Sequence, residues 1–206
     1  MESAAATATA DHAHHGPPEA HASSRIDRQT LGILLFIVSE VMLFGSFFAS
    51  YFFIRVVANV GPWPPPGAEI PKAVAGVNTA ILVSSSFTVH WALVSIRRGN
   101  RTGMIAGLGA TWLLGFTFLF IQFNEYVHIG FSGRDTAFGS IFYGLTGLHG
   151  AHVTVGLILL AFANVRAWRG HFTPEPKKHL GVEVPGIYWH FVDVMWIIVF
   201  TTVYIL

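Results

Sequence analysis

Cysteine is absent from the sequence and charge is scarce. Without cysteine there can be no disulfide, no thiolate metal centre and no cysteine nucleophile. Charged residues make up 11% of the chain and hydrophobic residues 52%. An average soluble domain carries about 25% charged residues, so a chain this poor in charge has lipid rather than water as its solvent. With 12 Lys and Arg against 11 Asp and Glu the net charge is +1, and nothing points to nucleic acid. A nucleotide-binding glycine loop, a nucleophile elbow and a zinc-protease motif are also missing, so no catalytic residue is assigned. Residues 1–29 lack the apolar core of a signal peptide. Their Asp11-His12-Ala13-His14-His15-Gly16-Pro17-Pro18 stretch reads as a solvated, disordered tail, with metal binding by the histidines as the alternative.

The remaining chain, 30–206, reads as one domain without internal repeats. A membrane helix needs about 20 predominantly apolar residues, and five stretches supply them: about 31–54, 73–96, 103–123, 137–163 and 187–206. Runs of this length without two-residue alternation exclude a barrel. The expected fold is therefore an all-α membrane protein, a five-transmembrane-helix bundle. Between the spans, Gly61-Pro62-Trp63-Pro64-Pro65-Pro66-Gly67 cannot be helical. Arg97-Arg98-Gly99-Asn100-Arg101 is a tight basic turn, and Thr173-Pro174-Glu175-Pro176-Lys177-Lys178 is a further loop. On the side of the N-terminus fall Arg25, Arg28, Arg97, Arg98, Arg101, Arg166, Arg169, Lys177 and Lys178; the other side has only Arg55, Lys72 and Arg134. The positive-inside rule then predicts a cytoplasmic N-terminus and an outside C-terminus. Trp63, Trp91, Trp112, Trp168 and Trp189 are expected near span ends, as an aromatic belt.

Ionisable groups inside spans are costly and mark functional hypotheses. Glu40 lies near the middle of the first span. It reads either as a proton-handling or headgroup-facing carboxylate, or as a carboxyl hydrogen-bonded to a neighbouring helix. In the fourth span His149 and His152 are three residues apart and share a helix face. Gly144, Gly147 and Gly150 run beside them as a small-residue stripe suited to close packing. The two histidines either ligate a metal or haem, or hydrogen-bond across helices or to lipid phosphate. Two ligands alone are a weak metal signal, and no metal site is assigned. In the fifth span His190 and Asp193, also three apart, are expected to pair and lock helix packing. Asn78, Thr79, Ser84, Ser85, Ser86 and His90 form a polar line on the second span that is expected to face protein. Gln122, Asn124 and Glu125 end the third.

From about Gln29 to Leu206 the sequence resembles subunit III of the haem–copper oxidases, in a short five-helix form. The strongest piece is Tyr188-Trp189-His190-Phe191-Val192-Asp193-Val194-Met195-Trp196. Phe36-Ile37-Val38-Ser39-Glu40-Val41, Trp63-Pro64-Pro65-Pro66-Gly67, Asn78-Thr79-Ala80-Ile81-Leu82 with His90-Trp91-Ala92, Asn124-Glu125-Tyr126, and Phe138-Gly139-Ser140-Ile141-Phe142 with Gly147-Leu148-His149-Gly150-Ala151-His152-Val153 occur in the family's order. The resemblance implies an accessory integral-membrane subunit of a proton-pumping cytochrome c oxidase in an aerobic respiratory chain, located in a bacterial plasma membrane. Such a subunit has no redox centre of its own, since haem and copper reside in partner subunits. It packs directly on subunit I in a complex that also holds subunit II, with cytochrome c as donor to that complex. It supports proton uptake, binds structural phospholipids and stabilises subunit I. By motif match Glu40 is the family's membrane-buried glutamate. His149, His152, Arg166, Arg169 and His171 fall where the family gathers lipid-headgroup contacts, and arginine suits phosphate by charge-assisted hydrogen bonding. The longest family form has two further N-terminal helices that this chain lacks; in other short forms extra helices of subunit I stand in for them. The competing readings are a quinol oxidase subunit and, outside the family, a stand-alone haem-binding or proton-conducting membrane protein built on His149, His152 and Glu40.

Overall fold

A computed structural model describes residues 28–58, 61–66, 68, 70–172 and 180–206. The His-rich tail to residue 27, Arg25, and the loop with Lys177 and Lys178 lie outside the described residues. Five helices carry the fold: α1 (Arg28–Phe52), α2 (Lys72–Arg97), α3 (Arg101–His128), α4 (Ala137–Trp168) and α5 (Leu180–Phe200). Two π-helical turns, Phe53–Ala58 and Thr201–Ile205, continue α1 and α5. Each of the five is long and apolar enough to cross a bilayer. A helix satisfies its backbone within its own span, as lipid requires, and the described residues form an all-α, five-span bundle.

Local signals set the helix ends. Asn100 caps α3, its side chain accepting from the Gly103 amide at 2.9 Å. Thr136 caps α4 in the same way, accepting from Gly139 at 3.0 Å. Such caps satisfy amides that the first helical turn leaves free. Gly99 and Gly170 take positive φ just past α2 and α4, where glycine avoids the Cβ clash of the left-handed region. The fifth helix starts at Leu180, seven residues before the apolar run suggests, and holds Pro185 inside it. Val182 and Gly186 of this early segment are buried, Gly186 beside Leu93 of α2. Tertiary packing therefore extends the helix through a residue that lacks an amide donor.

Helices α2, α3, α4 and α5 pack as a closed group, and α1 rests outside it against α4 and α5. Only 6% of the apolar span of α1 is buried within the chain, against 61% for that of α5. Lipid tails are as apolar as leucine, so packing and interhelical hydrogen bonds hold such a bundle together. Trp189 of α5 shows both. Its indole is fully buried, and its Nε1 donates to Ser85 Oγ of α2 at 2.8 Å. A Cβ added at Gly115 of α3 would lie 2.5 Å from one end of the ring, and one at Gly156 of α4 2.8 Å from the other. One side chain thus ties four helices.

Three sequence expectations change here. Trp189 is interior rather than part of an aromatic belt, because α5 begins nine residues before it; Trp112 lies eleven residues into α3. Of the small-residue stripe, only Gly144 makes a tight approach, to Phe47 of α1, whereas Gly147 has open space. The close contacts belong to Gly115 and Gly156. The polar line on α2 divides: Asn78 and Ser85 are buried, while Ser84 and His90 are exposed.

Candidate functional site

Glu40 stands twelve residues into α1 and His152 fifteen into α4, both near the middle of their helices. At that depth, where a carboxylate finds no water, the structure brings them together. His152 Nε2 lies 2.8 Å from Glu40 Oε2, with side chains 11% and 15% exposed. The other ring nitrogen, Nδ1, lies 2.7 Å from the Leu148 carbonyl. A carbonyl can only accept, so Nδ1 carries a hydrogen. The contact between Nε2 and Oε2 then holds one further proton. It belongs either to a neutral acid facing a neutral imidazole or to an imidazolium facing a carboxylate. Both states leave the pair with zero net charge, which is what a bilayer interior tolerates.

The pair is framed by aromatic rings. Phe44 of α1 is fully buried, with ring centroids 5.0 Å from His152 and 6.5 Å from Phe191 of α5. Tyr188 donates its hydroxyl to the His152 carbonyl at 3.2 Å. These contacts fix α1, α4 and α5 around one shareable proton.

His149 does not join them. One turn before His152, it is fully buried against α3 and α5, with Phe118 edge-on at 5.7 Å and Trp196 at 4.7 Å. The two histidines serve different neighbours, and among the described residues no group of three or more His, Cys, Asp or Glu is placed to hold a metal ion. Arg166, Arg169 and His171 are exposed at the far end of α4. Fourteen residues separate His152 from Arg166, about 21 Å along a helix, so one headgroup cannot touch both sets. Arg166 lies over the Phe172 ring at 5.4 Å.

Ser86 of α2 comes between His190 and Asp193. Its Oγ donates to Asp193 Oδ2 and lies 3.1 Å from His190 Nδ1. Among the described residues there is no His190–Asp193 ion pair. The two residues of α5 meet through α2 because a serine is small enough to enter between them.

A second polar group lies toward the opposite end from the arginine-rich turns. Glu125 is 6% exposed and accepts the Tyr204 hydroxyl at 2.9 Å, while Gln122 Nε2 lies 3.4 Å from that hydroxyl. The signal for it was the i, i+3 spacing of Gln122 and Glu125, which puts both on one face of α3. Tyr204, from the last turn, carried no such signal.

The sequence matches the cytochrome c oxidase subunit III family over residues 11–206. The chain belongs to that family. Cytochrome c oxidase subunit 3 of Thermostichus vulcanus is 40% identical over 207 residues, covering 100% of this chain and 96% of the relative. The protein of that name from Synechocystis is 40% identical over 197 residues, covering 95% and 79%. A probable cytochrome c oxidase subunit 3 of Rickettsia conorii is 42% identical over 187 residues, covering 85% of this chain and 66% of the relative. The matched region of this subunit III family member includes all five spans, and the Glu40–His152 pair lies within it.

Proposed function

We propose that the chain is an accessory subunit of a proton-pumping cytochrome c oxidase, without a redox centre of its own. It packs on subunit I, in a complex with subunit II, in a bacterial plasma membrane with its N-terminus in the cytoplasm. Its roles are to stabilise subunit I, to support proton uptake and to retain phospholipid. The observation that carries this reading is the match of nearly the whole chain to the subunit III family, with relatives named as cytochrome c oxidase subunits at 40% identity. Two structural features support it. The outer face of α1 is apolar and barely packed within the chain, so it suits a partner subunit or lipid. Glu40 and His152 pair near the middle of their helices, and Arg166 and His171 are exposed at the end of α4, where phosphate groups would lie.

The test is purification from native membranes in mild detergent, with a reduced-minus-oxidised spectrum and an oxygen-uptake assay. Haem bands, co-purifying large subunits and uptake driven by cytochrome c are expected. Uptake driven only by quinol would transfer the chain to a quinol oxidase. A chain that runs alone, or that shows its own Soret band, would overturn the proposal.

A further inference from the structure

A large concavity lies between α3 and α4, and none of its lining residues comes from α1. It is a groove of about 780 Å³ lined by Ile105, Gly109, Trp112, Leu113, Ala161, Asn164, Val165, Trp168 and Arg169. Eight residues separate Ile105 from Leu113 on α3, and eight separate Ala161 from Arg169 on α4. Each wall is therefore about 12 Å long. Farther in, the two helices close together: a Cβ at Gly115 would lie 3.0 Å from Leu157, and one at Gly150 lies 3.9 Å from Leu119. The groove starts at the arginine-bearing end of the helices and ends at Ala161 and Leu113, nine residues short of His152 on α4. The hydrocarbon core is about 30 Å thick, so the groove covers a single leaflet.

We propose that this groove holds one acyl chain of an anionic phospholipid, with the Arg169 guanidinium on the phosphate. A partner helix would need a seam running the full thickness of the core, whereas an acyl chain, like this groove, stays within one leaflet. The walls are mostly apolar, Arg169 stands at the outer end, Asn164 farther in donates to the Leu160 carbonyl of its own helix, and no carboxylate is among the lining residues. A guanidinium at the mouth of an apolar slot complements a headgroup that carries net negative charge. Trp168, largely exposed beside Arg169, sits where indoles meet the headgroup layer. Trp112, stacked on Phe116 at 5.3 Å, offers a rigid apolar wall deeper in. The proposal rests on the reading of Arg169 as a lipid contact given above, and separates it from Arg166, which turns to Phe172 and does not line the groove.

The groove can be plugged without disturbing the fold, because a Cβ at Gly109 meets no atom within 4 Å. The complex is purified from native membranes as wild type, Gly109→Leu, Arg169→Gln and Arg166→Ala, and retained phospholipids are counted by mass spectrometry. Gly109→Leu and Arg169→Gln are each expected to lose one anionic phospholipid per complex. After detergent delipidation, phosphatidylglycerol vesicles should restore it to wild type and phosphatidylcholine vesicles should not. Wild-type lipid counts in both groove variants would overturn the proposal; loss in Arg166→Ala alone would do so while leaving the broader lipid-binding role standing. Equal restoration by phosphatidylcholine would overturn the anionic assignment. Loss of a protein subunit from Gly109→Leu with an unchanged lipid count would overturn the acyl chain in favour of a partner helix.

Discussion

Replacing Glu40 by Gln removes the transferable proton from the mid-membrane pair and leaves its shape. In the wild type, His152 Nδ1 is committed to the Leu148 carbonyl and Nε2 faces Glu40. A neutral imidazole with its hydrogen on Nδ1 presents Nε2 as an acceptor, and the glutamine amide donates to it. The bond across α1 and α4 survives and the pair stays neutral. Interhelical hydrogen bonds in membranes average about 0.6 kcal/mol and reach about 1.7 kcal/mol, so the substitution should cost less than about 1 kcal/mol. Glu40→Ala is different, since it strands the imidazole nitrogen in a site that water barely reaches. An unmatched buried polar group costs about 1–3 kcal/mol, and α1 has little other packing to offset it. Glu40→Gln is therefore expected to assemble with normal haem content, and Glu40→Ala to lose this subunit more readily during detergent extraction. Haem per complex, gel-resolved subunit content and the thermal midpoint of the purified complex measure this. A Glu40→Gln complex that fails to assemble would refute the reasoning, because it would show that the pair must be ionised to hold the helices.

Further outcomes follow from other contacts. Arg166→Ala should lower the phospholipid retained by the purified complex, and an unchanged lipid content by mass spectrometry would count against that contact. Gly156→Ala places a methyl 2.8 Å from the buried Trp189 ring; such overpacking costs about 1–3 kcal/mol and should lower the thermal midpoint of the complex, whereas the same change at Gly147, which has open space, should not. Arg97→Ala breaks the ion pair with Glu183 between the ends of α2 and α5, but the two side chains are 56% and 24% exposed. A pair so accessible to solvent is worth about 0–1 kcal/mol, so the midpoint should stay close to wild type.

The sequence by itself determined the solvent, the number of spans and the family. Those properties are additive along the chain: hydropathy sums over about 20 residues, and motif order survives without coordinates. It also singled out Glu40, His152, His190 and Asp193, because an ionisable side chain in an apolar run stands out locally. Which groups meet was left to the tertiary structure. His149 and His152 share a spacing that suggests one role, yet the placement of α1 gives His152 a carboxyl partner while α3 and α5 enclose His149 in rings. His190 and Asp193 are three apart and still meet only through Ser86, 104 and 107 residues earlier. Trp189 lies near one end of the apolar run in sequence, yet it is the meeting point of four helices because Gly115 and Gly156 leave room on two others. A helix fixes the direction of each side chain to within a turn; the partner it finds there depends on how the helices pack, and no local pattern encodes that.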